Sequence, residues 1–228
     1  MKYIYIILTL FITNYAFSQT EGEYNDDGIT VSEISEETDK IRGYPSTTSQ
    51  KAMDYYNLGV NTGQDNPYVA INYFLKSIEE DKNYVIAYDN LGRMYRYTQQ
   101  YELAIKYYKE SIRIFPEGTT AHINLAIVYE IMGLDEKAIN EYKTVIRLDP
   151  NDPEGYYGLA MMLLYAADSY DQLEDALTNA KTALELYKKN PPNFIGDSYF
   201  QIGYIYHFLR NDIKSKEYLN LAREKYIE

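Results

Sequence analysis

Apolar and polar positions along residues 52 to 228 alternate with a helical period. Tyr88, Leu91 and Tyr95 stand three and four positions apart, which sets them on one face of a helix. The same face returns 34 positions later: Tyr88-x2-Leu91-Gly92-x2-Tyr95, with Ala104-x3-Tyr108 and Pro116, is echoed by His122-x2-Leu125-Ala126-x2-Tyr129, with Ala138-x3-Tyr142 and Pro150. A fixed period of this length means that one helix pair is stacked on the next, each burying its apolar face only against its neighbours. Laying the period outward gives five units, 52–84, 85–118, 119–152, 153–195 and 196–228. The first copy reads Tyr55-x2-Leu58-Gly59 and Ala70-x3-Phe74. The fourth reads Tyr156-x2-Leu159-Ala160 and Ala176-x3-Ala180, and the last Tyr199-x2-Ile202-Gly203-x2-Tyr206.

This pattern predicts ten helices, near 50–63, 66–81, 85–98, 101–114, 119–132, 135–148, 153–167, 171–189, 196–209 and 212–226. Phe115-Pro116-Glu117-Gly118, Asp149-Pro150 and Asn190-Pro191-Pro192 are stop signals, because proline cannot continue a helix and restricts the residue before it. Gly133-Leu134-Asp135 separates the helices of the third unit, with Asp135 the predicted N-cap. The surplus residues of the fourth unit fall around Asp168 to Gln172 and Lys188 to Asn193, where loops are expected. Gly92 and Gly203 lie inside helices at a cost of about 1 kcal/mol relative to alanine, so close approach of a partner helix is the expected compensation. Ala104, Ala138 and Ala176 do the same from the second helix, while Tyr108 and Tyr142 fill the space between successive pairs.

These residues resemble the tetratricopeptide repeat: an aromatic, Leu-Gly, Tyr, then Ala, an aromatic and a closing Pro. The resemblance covers the five units and implies an all-α fold, a right-handed α-α superhelix whose first helices line a concave side. Thr62, Lys82 and Ile227 depart from the pattern. Transferred position by position, the family geometry turns inward Tyr56 and Val60; Asp89, Arg93, Arg96 and Tyr97; Ile123, Ile127, Glu130 and Ile131; Tyr157, Met161, Leu164 and Tyr165; and Phe200, Tyr204, His207 and Phe208. The family's carboxylate clamp is missing: only Asn124 falls at such a position, with Asp89, Tyr56 and Glu154 where other residues are needed. An apolar and aromatic trough with a basic spot at Arg93 and Arg96 suits an extended or helical peptide carrying large side chains and an acidic group. The resemblance therefore implies a non-catalytic protein–protein interaction scaffold. A rival reading uses the 28 tyrosines as a surface for a glycan or small ligand. The ending at Tyr226-Ile227-Glu228 suggests an apolar edge able to self-associate through the last repeat.

Ahead of the repeats, Lys2, the apolar stretch from Tyr3 to Thr13 and Ala16-Phe17-Ser18 read as a signal peptide over residues 1–18, cleaved before Gln19. Thr13-Asn14 break the stretch well short of the ~20 apolar residues of a membrane span. An exported protein, periplasmic or secreted and without direct membrane insertion after cleavage, is expected. Residues 19–50 read as an acidic, disordered leader, with eight acids against Lys40 and Arg42 in 20–50. Within it Ile29-Thr30-Val31 or Tyr44-Pro45 is a candidate for docking on a partner or folding back into the protein's own groove. The net charge is -12, which opposes nucleic-acid binding.

The chain contains no cysteine, which removes disulfides, thiolate metal sites and thiol chemistry. His122 occupies an aromatic slot of the repeat and has a structural role there, whereas His207 falls among the inward positions. Neither has a second ligand at metal spacing. No phosphate-binding loop, Gly-x-Ser-x-Gly elbow or His-Glu-x-x-His helix occurs, so no cofactor, no metal and no catalysis are expected.

Overall fold

Residues 43–63, 65–189 and 194–227 are described by a computed structural model of the chain. The expected signal peptide and the expected leader up to residue 42 lie outside the described residues. Among those described, ten helices follow one another: α1 Gln50–Thr62, α2 Pro67–Glu80, α3 Val85–Tyr97, α4 Tyr101–Ile114, α5 Thr119–Ile131, α6 Asp135–Leu148, α7 Pro153–Ala166, α8 Tyr170–Tyr187, α9 Ile195–Phe208 and α10 Asp212–Ile227. They form five consecutive helix-turn-helix pairs, and the fold is all-α.

Local chemistry sets the ends. The Ser49 hydroxyl accepts from Ala52 N at 3.3 Å and opens α1. Asn66 before Pro67, and Asp152 before Pro153, cap α2 and α7 by accepting from Val69 N and Glu154 N. Gly133 takes φ 68° after α5, a left-handed turn that glycine enters without strain. Asp135 is not the cap expected of it: Leu134 stands at that position with no side-chain bond, and Asp135 with Glu136 occupies the first turn of α6. There the two acids face the positive end of the helix dipole. Part of the fourth unit's surplus is likewise helical rather than loop. Ser169 caps α8 through Gln172 N at 3.3 Å, so Tyr170 to Gln172 form its first turn and the helix reaches 18 residues.

The described chain divides into two compact units that meet in sequence at Gln99 and Gln100. In the first, α2 packs on α1 and on α3. Its core holds Ala52, Tyr56, Ala70, Phe74, Tyr84 and Val85, with the Tyr56 ring 5.8 Å from that of Phe74 and 5.4 Å from that of Tyr84. The fully buried Ser77 hydroxyl donates to Ala52 O at 2.7 Å and ties α2 to α1.

In the second unit each helix from α4 to α10 packs on the next. Ala104, Ala138, Ala176 and Ala180 are fully buried, as the close-approach argument requires. Tyr108 and Tyr142 are buried with them. Around α7, α8 and α9 a continuous cluster joins Ala160, Leu164, Leu184, Ile202, Ile205 and Tyr206. At Gly203 the compensation foreseen for a helix glycine is plain: a Cβ there would lie 2.9 Å from Leu219 Cγ and 3.1 Å from the Leu219 backbone nitrogen. The exposed face of α10 is mostly polar, through Lys216, Glu217, Asn220, Arg223 and Glu224, with Ile213 and Ile227 at its ends.

Candidate functional site

In the first unit, the positions turned inward by the repeat pattern separate into core and surface. Tyr56 is buried among aromatic rings, and its hydroxyl accepts from Asn90 Nδ2 at 3.3 Å. Asn90 Oδ1 in turn accepts from Arg93 Nη2 at 2.6 Å, so the half-buried Arg93 is steered by a residue that the sequence did not single out. Asp89 and Arg96 are buried, Val60 is half-buried, and Tyr97 is 54% exposed. Asp89 accepts from the Tyr44 hydroxyl at 2.5 Å, so the end of the expected leader reaches this helix.

In the second unit Ile123, Ile127 and Ile131 line one face of α5, each half-buried. Glu130 beside them accepts from the Tyr142 hydroxyl at 2.5 Å and serves the packing. On α7 the inward residues divide: Met161 and Leu164 are buried, while Tyr157 and Tyr165 are half-buried.

The most developed surface is on α9. Phe200 and Phe208 are 38% and 41% exposed, and His207 is exposed beside them. Half-buried Tyr204 stands between the two phenylalanines, its ring stacked on Phe200 at 6.1 Å and edge-on to Phe208 at 5.1 Å. Residues four apart on a helix form one row, so this is a continuous aromatic ladder about two turns long. His207 closes it, 5.7 Å from the Phe208 ring.

An acidic cluster at the starts of α7 and α9 went unnoticed in the sequence. Glu154 accepts from the Tyr187 hydroxyl at 2.8 Å, and Asp197 accepts from the Tyr226 hydroxyl at 2.7 Å. Burial pushes the Glu154 carboxyl up to about 7; the Tyr187 bond opposes this, and the charges of Asp152 and Asp197 add to it. Asp152 is also raised, chiefly by burial, against the hydrogen bonds from Glu154 N–H and Thr119. Burial raises the phenols of Tyr157 and Tyr187 well above their ordinary value, and the neighbouring acids raise them further. The only advance signal was the separation of Glu154 and Tyr187 by nearly one repeat, hidden by the lengthened α8.

His122 sits in its aromatic slot, with Nδ1 2.6 Å from Glu141 Oε2. Among the described residues no group of three His, Asp or Glu side chains could hold a metal ion. None of the described helices is long and apolar enough to cross a membrane.

Comparison with known proteins agrees with this architecture. Family models described as tetratricopeptide repeat match residues 85–117 and 196–222, and one described as TPR repeat matches residues 132–163. None of the curated proteins compared with the chain matches it. Among solved structures, MamA from Desulfovibrio magneticus RS-1 is 17% identical with a TM-score of 0.62, over 78% of this chain and 96% of that one. YrrB, described as a TPR protein with an unusual peptide-binding site, is 20% identical with a TM-score of 0.55, over 85% and 92%. The Cut9–Hcn1 hetero-tetramer of the APC/C gives 19% identity and a TM-score of 0.67, over 83% of this chain and 35% of that one. With the repeat pattern, the helix pairs and the matched models in agreement, the chain is a tetratricopeptide repeat protein.

Proposed function

We propose that this repeat scaffold is a non-catalytic adaptor of the cell envelope, and that the aromatic ladder of α9 grips an extended or helical segment of a partner protein. The observation that carries the reading is the exposure of Phe200 and Phe208, 38% and 41%, in ring contact with Tyr204, at positions that the family resemblance expects to turn inward. Scattered exposed aromatics are ordinary on protein surfaces, but a contiguous row marks an interaction site, and aromatic residues dominate interface energetics. Half-buried Ile123, Ile127, Ile131, Tyr157 and Tyr165 extend the same apolar character along the inward positions of the second unit. The peptide-binding site in the description of YrrB supports this mode of action.

Envelope location rests on Lys2, the apolar stretch from Tyr3 and the small residues Ala16 and Ser18. Mass analysis of the mature protein from fractionated cells tests it, with an N-terminus at Gln19 in the exported fraction expected and an intact Met1 in the cytosol overturning it. For the partner class, envelope extract and a glycan array are offered in parallel to the wild-type chain and to Phe200→Asp. A protein retained by the wild type and lost by the variant supports the scaffold. Glycan binding without a protein partner supports the rival reading of a sugar-stacking surface. Self-association through the last repeat is a second reading, carried by Ile213 and Ile227 at 83% and 78% exposure. Strictly monomeric sedimentation at tens of micromolar would remove it.

A further inference from the structure

The stretch Gly43 to Ser49 contains no helix or strand, yet it is fixed to the first unit at two carboxylates. Tyr44 donates its hydroxyl to Asp89 on α3 at 2.5 Å, and Thr47 donates its own to Asp81 at the end of α2. Thr47 is only 8% exposed and also accepts from Ser49 N at 3.0 Å. Ser49 already caps α1, so the Tyr44 contact is not part of starting that helix. Hydrogen bonds to ionised acceptors are among the stronger ones a peptide segment can make.

Asp89 is one of the positions the repeat turns toward a partner, and Arg93 and Arg96 follow it on the same helix face, four and seven residues on. Arg96 is 9% exposed, and its Nε finds no hydrogen-bond acceptor among the described residues. Ahead of Tyr44 the sequence carries Glu33, Glu36, Glu37 and Asp39, with Lys40 and Arg42 nearer to it.

We infer that the inner face of the first unit is a binding site for a tyrosine-bearing segment, and that its resident occupant is the stretch of this chain from Gly43 to Ser49. The tyrosine hydroxyl answers Asp89, and the Thr47 hydroxyl answers Asp81. Tethered this closely, the segment is present at an effective concentration on the order of millimolar, so a foreign ligand of the same kind must outcompete it. The first unit is thereby reserved for strong or multivalent partners. The inference stands on the Tyr44 and Thr47 contacts, not on the α9 ladder, and its test needs no foreign protein.

The test titrates a fluorescein-labelled peptide of residues 31–49 into the full chain and into its Tyr44→Ala variant, with helicity checked by circular dichroism. The variant chain should bind the peptide about tenfold tighter than wild type, because its own segment no longer fills the site. Adding Asp89→Asn to that variant should weaken binding about tenfold. Equal affinity for wild type and Tyr44→Ala, absent binding to Tyr44→Ala, or indifference to Asp89→Asn would each overturn the inference.

Discussion

The ring of Tyr142 lies directly against Gly158, so closely that a Cβ added to the glycine would fall 2.2 Å from Tyr142 Cε1 and Cζ. One residue belongs to the second helix of the third repeat, the other to the first helix of the fourth, and their contact is where the two repeats interlock. Tyr142 cannot swing aside, since it is buried and its hydroxyl is bonded to Glu130. Gly158→Ala should therefore destabilise the chain by about 1–3 kcal/mol through overpacking, although alanine is ordinarily the better helix former. Urea unfolding checks this, and a variant as stable as wild type would show that the interlock yields.

Ser77 gives a smaller, cleaner effect. Its fully buried hydroxyl donates to Ala52 O at 2.7 Å, so Ser77→Ala removes one interhelix bond between α1 and α2 without creating a large void. The expected loss is about 1 kcal/mol, read from the same unfolding curves.

Glu154 makes stability depend on pH. Its carboxyl keeps a proton in the folded chain up to about 7, against an ordinary 4.5 when unfolded. Between these values the folded state binds more protons than the unfolded state, so stability falls as pH rises through this window and the loss is complete above it. The loss is at most about 3 kcal/mol, at ~1.4 kcal/mol for each tenfold change in proton affinity. The raised Asp152 acts in the same direction. Glu154→Gln can still accept the Tyr187 hydroxyl, and it should flatten the slope and exceed wild type in stability at about pH 8. A wild-type unfolding midpoint that climbs from about pH 5 to about pH 8 would contradict this.

Met161 and Phe200 look alike in the sequence, as apolar residues at inward positions, but they need different handling. Met161 is 5% exposed and part of the core, so Met161→Asp would buy a loss of binding only by damaging the fold. Phe200 is 38% exposed, so Phe200→Asp should leave helicity and melting temperature near wild type while abolishing partner capture. A cooperative loss of helicity in Phe200→Asp would assign that ring to the core instead.

The contrast shows what the sequence could and could not reveal. Helix boundaries came out within about two residues because proline, glycine and the 34-residue period are local signals that each repeat states again. Tyr88 and Tyr142 were likewise placed correctly in the interior, since their slots recur. What recurs in sequence, however, does not report depth: Tyr56, Met161 and Leu164 share inward slots with Phe200, yet their surroundings bury them. Contacts that depend on a single repeat were harder still. The bond from Tyr187 to Glu154 needs the longer α8, and the seat of Tyr44 on Asp89 joins residues 45 positions apart with no period to announce it.

The proposed role of the α9 ladder is tested most directly by panning a random peptide library against the immobilised chain and measuring the enriched peptides on wild type and on Phe200→Asp. Enriched peptides should share large apolar side chains and lose at least about tenfold in affinity on the variant. Failure to enrich any peptide, or peptides that bind Phe200→Asp as tightly as wild type, would contradict it.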